Sequence, residues 1–192
     1  MDPVLIDVPK EIETRRMLLR VPQTGDGREI NAAVVESAVE LAQWMPWANP
    51  TPDVDNSESW VRKAASNFLA REQLNWKMLL KDGERYIGSI GFPRLNWTVP
   101  RFEIGYWLRT SMVGHGFMTE AVQAIEQLAF DRLNARRVEI QMDDRNTRSW
   151  RVAERATFQL EGILRNDCRT ADGRLRDTRI YAKTRPDGAS AG

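Results

Sequence analysis

Apolar positions along this chain change their period several times, and each change marks an element. Met17-Leu18-Leu19-Arg20-Val21 is a short apolar run ended by Pro22, which reads as a strand. From 28 to 43 the spacing becomes helical, with Ile30, Val34, Val35, Ala38 and Leu41 on one face. Pro46, inside Trp44-Met45-Pro46-Trp47, stops that helix, because proline removes a donor and clashes with the preceding turn. A Pro- and Asp-rich loop runs from Asn49 to Asn56. A second helix starts near Ser57, with Trp60, Val61, Ala64, Ala65 and Phe68 sharing a face.

Strand signals follow. Trp76 to Leu80 and Arg85 to Phe92 flank an Asp82-Gly83 turn, the pattern of a hairpin. Phe102 to Leu108 adds a third strand after a turn over Asn96 to Pro100, and the short links make the three antiparallel. Behind a glycine turn at 113–116, Met118, Ala121, Val122, Ile125, Leu128, Ala129 and Leu133 form one apolar helical stripe. Val138 to Met142 is a strand, and strand–helix–strand of this length predicts a right-handed parallel crossover. Residues 147–156 read as a short helix. Phe158 to Arg169, an Asp172-Gly173 turn and Arg174 to Lys183 make a last hairpin. The predicted order is β-α-α-β-β-β-α-β-α-β-β, an α/β (α+β) fold with a mixed sheet of about seven strands and helices on both faces. Residues 1–185 read as one domain, with 1–13 loosely held. The apolar-poor 186–192 is expected to be a frayed tail.

Composition narrows the class. At 192 residues, 42% hydrophobic and 29% charged, the chain is long enough for one sizeable core. No stretch approaches the ~20 consecutive apolar residues of a membrane span. Met1-Asp2-Pro3-Val4 lacks the basic-then-apolar layout of a signal peptide. A single cysteine, Cys168, excludes an internal disulfide, and no spacing suggests a metal site. A cytoplasmic location is the expectation. The net charge of +1 argues against a nucleic-acid partner. All but one of the basic residues after position 96 are arginine, the better fork for phosphates, although a solvated surface carries the same bias.

Gly114-His115-Gly116 sits between a strand and an amphipathic helix. Glycine admits φ > 0 and close backbone approach to a ligand. The first N–H groups of a helix lack internal partners, and its dipole favours an anion there. Strand, glycine turn and helix N-terminus thus suit a pyrophosphate, although an ordinary strand-to-helix turn has the same two glycines. Neither the P-loop nor the dinucleotide fingerprint is present.

A wider set of motifs occurs in order: Phe102-Glu103-Ile104-Gly105-Tyr106-Trp107-Leu108, then Gly114-His115-Gly116-Phe117-Met118-Thr119-Glu120-Ala121, then Asn146-Thr147-Arg148-Ser149 and Glu154-Arg155-Ala156-Thr157-Phe158. Together they resemble the GNAT superfamily of N-acetyltransferases, and within it the RimJ/RimL-like branch that acetylates ribosomal-protein N-termini. The resemblance runs from about Ile12-Glu13-Thr14-Arg15-Arg16 to Tyr181. It implies acetyl-coenzyme A as cofactor, with Val113, Gly114, His115, Gly116, Phe117, Met118 and Thr119 forming the pyrophosphate loop. It places pantetheine along Trp107, Leu108 and Arg109, with Asn146 bonding its arm. The strand at 138–142 is expected to splay away and leave a slot. Ser111 stands where the family often has Gln or Arg, so a phosphate contact would come from elsewhere, such as Arg109 or Arg151.

The implied chemistry needs a base, because a free α-amine has a pKa of roughly 8. It also needs an oxyanion donor and an acid for the departing thiolate. A backbone N–H near Leu108 is the candidate donor. Glu103 is the candidate base, on one face with Gly105 and Trp107, and is equally readable as the ion-pair partner of an arginine such as Arg101. Ser149 is the candidate acid, and Asn146 also suits a helix cap. His115, the only histidine, is better placed as a loop cation than as a base. Trp44, Met45 and Trp47, with Glu103, fall where the acceptor groove forms. Asp53, Asp55 and Glu103 are candidates to attract a cationic acceptor. Three readings stay open: transfer to a protein N-terminus, transfer to a small amine, and a non-catalytic coenzyme A-binding module. The family also implies a possible homodimer, with no membrane and no direct nucleic-acid contact.

Overall fold

The computed structural model describes residues 2–83, 85–170 and 173–185. The expected tail at 186–192, and Asp172 of the expected Asp172-Gly173 turn, lie outside the described residues. In chain order the elements are β1 (Glu11–Glu13), β2 (Met17–Arg20), α1 (Gly27–Glu36), α2 (Ala38–Trp44), α3 (Val54–Ala70), β3 (Leu74–Leu80), β4 (Tyr86–Asn96), β5 (Arg101–Leu108), α4 (Phe117–Asp131), β6 (Arg137–Asp143), α5 (Thr147–Arg155), β7 (Gln159–Arg169) and β8 (Leu175–Thr184). All the strands form one sheet of eight, ordered β1-β2-β3-β4-β5-β6-β8-β7. Every pairing is antiparallel except β5 with β6.

Two apolar clusters fill the space beside the sheet. On one side Ile104 and Phe102 meet the stripe predicted for α4, with Met118, Ala121, Val122, Ile125, Leu128 and Ala129 all buried. The other cluster joins Ile30, Ala33 and Val34 of α1 and Leu41 of α2 to Val61, Leu79 and Tyr86. Each large side chain fully buried in this way contributes about 1.5–3 kcal/mol.

Four expectations need correction. The predicted helix over 28–43 is broken at Ser37, whose buried hydroxyl accepts the N–H of Thr110 at 3.0 Å and leaves the helical path. Val35 and Trp60 are not core residues and lie 56% and 37% exposed. The helix predicted from Ser57 begins at Val54, because Asp53 caps it by accepting the N–H of Asn56 at 2.7 Å. The N-terminal segment is tied down rather than loose. β1 pairs with β2, Val8 is buried, and the Trp76 indole donates to Pro9 O at 3.2 Å.

The feature that matters for function is a fork. β5 and β6 pair only over Arg101↔Arg137, Phe102↔Val138 and Glu103↔Glu139. Beyond that point each strand keeps its other neighbour: β5 stays with β4 to Gly88↔Leu108, and β6 stays with β8 to Asp143↔Thr178. The two strands therefore part, and β5 presents a bare edge toward β6. Glu139, 1% exposed, pins the closed end. It accepts from Arg101 at 2.7 Å, Arg137 at 2.6 Å and Gln141 at 3.0 Å.

Candidate active site

The loop after β5 is built by its glycines. Gly114 and Gly116 have φ of +90° and +77°, a region costly for any residue with a Cβ. A Cβ built on Gly114 meets no protein atom within 4 Å, so the loop faces open space there. Gly116 leads directly into α4. Among the described residues, no carbonyl or side chain accepts from the N–H groups of Gly114 through Thr119. A row of unengaged donors at the positive end of a fifteen-residue helix is a cradle for an anion.

Arg16, in the β1–β2 turn, holds this loop from outside. Its Nε donates to Glu120 Oε2 at 2.7 Å and its Nη1 to His115 O at 2.9 Å, and its guanidinium lies 4.4 Å from the Phe117 ring centroid. Burial pushes the Glu120 carboxyl up, but bonds from Thr14 and Arg16 outweigh it and hold the carboxyl below its ordinary value. This acid in the first turn of α4 is thus held ionised, and its ion pair with Arg16 offsets its charge. His115 stacks on Phe117 at 5.8 Å and is exposed beside the loop.

Of the two residues expected to make up for Ser111, Arg109 is held in an ion pair. Glu36, at the end of α1, accepts Arg109 Nε at 2.6 Å and the Ser111 N–H at 3.2 Å. Arg151 is exposed on α5, with its guanidinium 5.6 Å from the Trp150 ring. Besides Arg16, Arg155 touches the loop, its Nε donating to Thr119 Oγ1 at 3.3 Å.

Within the fork, backbone direction follows from one bond. Arg109 N–H donates to Ile87 O on β4 at 2.7 Å. Alternation along an extended strand then turns Trp107 toward β4 as well, and turns the N–H groups of Leu108 and Tyr106 to the bare edge. Of the predicted Trp107-Leu108-Arg109 segment, Leu108 is the residue whose backbone faces the slot. Across the slot stands α5, capped by Asn146, which accepts the Ser149 N–H at 3.1 Å. The Tyr106 hydroxyl lies 3.0 Å from Ser149 Oγ and 3.0 Å from Ser149 O. Burial pushes the Tyr106 phenol up to about 12, despite the Ser149 bond that lowers it. Tyr106 thus stays protonated at neutral pH beside the predicted acid.

Glu103 sits at the fork. Its carboxylate accepts Arg94 Nη1 at 2.7 Å, whereas Arg101 is bound to Glu139. It lies about 16 Å along the strand from Leu108, at 3.3 Å per residue. On the acceptor side, Trp47 is 46% exposed, with its ring 6.1 Å from that of Trp107, which meets Tyr86 edge-on at 5.9 Å. Trp44 and Met45 line a small cleft together with Asp143, Arg169, Thr170 and Arg176. Asp53 is the cap of α3 and Asp55 lies in its first turn, so neither belongs to this cleft.

Residues 16–159 match the family model described as an acetyltransferase (GNAT) domain. The chain belongs to the GNAT acetyltransferase family. An N-acetyltransferase named p20 from Bacillus licheniformis is 32% identical over 77% of this chain and 87% of its own length. A ribosomal-protein-serine acetyltransferase from Escherichia coli is 30% identical, over 73% of this chain and 79% of its own. Two solved GNAT folds superpose closely. The microcin C7 self-immunity acetyltransferase MccE, in complex with acetyl-CoA and AMP, aligns at TM-score 0.86 and 22% identity, covering 92% of this chain and 97% of its own. RimL, a ribosomal-protein α-N-acetyltransferase in complex with coenzyme A, aligns at 0.85 and 21%, covering 91% and 97%. At these identities the structures show a shared GNAT fold.

Sequence reasoning missed Arg16, Glu36, Tyr106 and Arg155. Tyr106 was within reach, since it alternates with Trp107 and shares a face with Leu108. The other three act through partners 36 to 104 positions away, which no local pattern reveals.

Proposed function

We propose that this GNAT chain is an acetyl-coenzyme A-dependent N-acetyltransferase whose acceptor is a protein N-terminal α-amine. The observation that carries the cofactor assignment is the row of unengaged N–H groups over Gly114–Thr119, next to the bare edge of β5. The 30% identity to a ribosomal-protein-serine acetyltransferase supports the acceptor class.

The residues fit the cofactor. Backbone N–H groups of Gly114, Gly116, Phe117 and Met118 would hold the pyrophosphate, with Arg155 and His115 beside it. The Leu108 and Tyr106 backbone would pair with the pantetheine amides as an added strand, and Asn146 flanks the slot. Bound there, the cofactor supplies an acetyl thioester. Glu103 lies about 16 Å along β5 from Leu108, so the proton the amine loses as nitrogen bonds to the acetyl carbon reaches it through a relay of waters and not directly. The Leu108 N–H donates to the carbonyl oxygen where negative charge develops. Ser149 provides the proton for the sulfur as the carbon–sulfur bond breaks, with Tyr106 bonded behind it. Trp47 and Trp107 wall the acceptor side. That aromatic wall also favours a second reading, a small amine as acceptor.

The test is a melting curve with acetyl-coenzyme A, ATP or NAD, followed by thiol release with a panel of peptides and small amines. A ligand at a hundredfold excess over its dissociation constant adds about 2.7 kcal/mol of stability. A saturable rise with acetyl-coenzyme A alone, then turnover of peptides, is expected. No rise at millimolar ligand sinks the cofactor assignment; turnover of small amines alone sinks the peptide reading.

A further inference from the structure

One side chain bridges the mouth of the fork. Glu40, on α2, accepts from the Thr110 hydroxyl at 3.2 Å, and its other oxygen lies 3.6 Å from Arg148 in the first turn of α5. α2 packs in the cluster that holds Trp107, whereas α5 packs in the other one, so the Glu40–Arg148 pair reaches across the slot. Thr110 follows Leu108 by two residues, at most about 7 Å of chain. Trp44, one turn on from Glu40 and on the same face of α2, lines a cleft with Asp143. The Glu103↔Glu139 register, carried forward along both strands, sets Asp143 level with Trp107. Both walls of the slot thus bring Glu40 to the level of Trp107 and Leu108.

The two carboxylates at that level differ in what they have left to offer. Asp143 is 4% exposed, and Arg145 takes both its oxygens, at 2.9 and 2.7 Å. Glu40 is bound on one oxygen by a neutral hydroxyl, which orients it and leaves its charge. Thr110 is itself fixed to the start of α2, because Ser37 accepts its N–H at 3.0 Å. The one cation facing Glu40 is at long range, with 70% of the Arg148 side chain exposed. An ion pair so exposed contributes little, and another cation can take its place.

Resting on the N-acetyltransferase reading above, we infer that Glu40 seats the acceptor's ammonium beside the Leu108 N–H, and that Arg148 occupies the carboxylate until the acceptor arrives. Glu103 is too far along β5 to touch an amine at Leu108, so the partner of the ammonium is a different carboxylate. A primary ammonium brings three donors on one compact centre and fits between the Glu40 oxygens and the slot. Recognition by charge alone makes Glu40 necessary for a peptide and for a small amine alike.

The test uses a peptide beginning with serine, its desamino analogue, and butylamine as a small amine. Titration onto the coenzyme A-loaded protein gives binding, and thiol release gives KM. The peptide is expected to bind roughly tenfold more tightly than its desamino analogue. Glu40→Gln keeps an oxygen for Thr110 but loses the charge. It should bring that ratio close to one and raise the amine KM roughly tenfold, while the melting rise with acetyl-coenzyme A is kept. Arg148→Gln should act with the opposite sign and lower the amine KM, because the competing cation is gone. A bridge that only held α2 to α5 would give both variants the same loss, and that result overturns the inference. Equal binding of the peptide and its desamino analogue to the native protein overturns it too, and leaves the α-amine reading standing if the peptide is acetylated. Turnover of butylamine alone sinks the α-amine reading, and the two variants then decide this inference on the butylamine KM. Should Glu40→Gln fail to fold, the sign of the Arg148→Gln effect decides.

Discussion

The phenol of Tyr106 joins β5 to the first turn of α5 by lying 3.0 Å from both the carbonyl and the hydroxyl of Ser149. A carbonyl only accepts, so the Tyr106 proton points to it and the Ser149 hydroxyl donates to the phenol oxygen. When Ser149 turns its proton toward a departing sulfur, Tyr106 is placed to donate to Ser149 Oγ in its stead. Removing the phenol should therefore weaken Ser149 rather than abolish it. Ser149→Ala is expected to lower kcat on the order of 100-fold, and Tyr106→Phe roughly tenfold. The double variant should be no slower than Ser149→Ala alone, because the two act as a unit. Saturating kinetics on all four proteins check this; losses that multiply would separate the two residues.

Gly114 offers a cleaner test of the cradle. Its φ of +90° strains any other residue, and an added methyl would enter space free of protein atoms within 4 Å. Gly114→Ala should cost about 1–2 kcal/mol of stability from the backbone alone. The same methyl should raise the KM for acetyl-coenzyme A at least tenfold, since it projects where the proposed pyrophosphate lies. A melting curve and a donor titration separate the two effects. An unchanged KM would place the anion elsewhere.

Arg16 acts at a distance in sequence and at the loop in space. It bonds Glu120 and the His115 carbonyl and covers Phe117. The ion pair is partly exposed, so Arg16→Ala should destabilise by only about 1 kcal/mol. Its larger effect is expected on the loop, as a several-fold rise in the KM for acetyl-coenzyme A with kcat nearly kept. A fall in kcat at saturating donor, with KM unchanged, would contradict this role.

What was legible in the sequence is what local chemistry determines. The stripe from Met118 to Leu128 and the glycine turn before it carry their own geometry, and both stand where the periodicity put them. The break at Ser37 was hidden because its cause is the Thr110 N–H, 73 residues away. Glu103 shows the limit most clearly. Its ion pairing was foreseen, but a bulge between Gly91 and Arg94 shifts β4 so that Arg94 stands opposite it. Arg101 is thereby left to Glu139, across a parallel pairing that only the fold creates. Likewise Asp53, read with Asp55 and Glu103 as an attraction for a cationic acceptor, also caps α3.

Glu139 carries a prediction about acid. Burial pushes its carboxyl up, but hydrogen bonds from Arg101, Arg137 and Gln141 outweigh this and hold it below its ordinary 4.5. A carboxyl whose folded value lies below its unfolded one adds stability above the unfolded value and loses it as pH falls through the folded one. The melting temperature should therefore drop as pH goes from 5 to 3, with Asp26, Glu120 and Asp143, also held low, adding to the slope. Glu139→Gln should cost about 2 kcal/mol at pH 7. That is less than the roughly 3–5 kcal/mol of a fully buried broken pair, because Arg101 is half exposed and Arg137 keeps Glu161. It should also flatten the acid slope, and it should loosen the closed end of the fork, lowering kcat more than donor binding. Melting curves from pH 3 to 7 on both proteins test the linkage, and an identical slope in the variant would show that other carboxylates govern the acid transition.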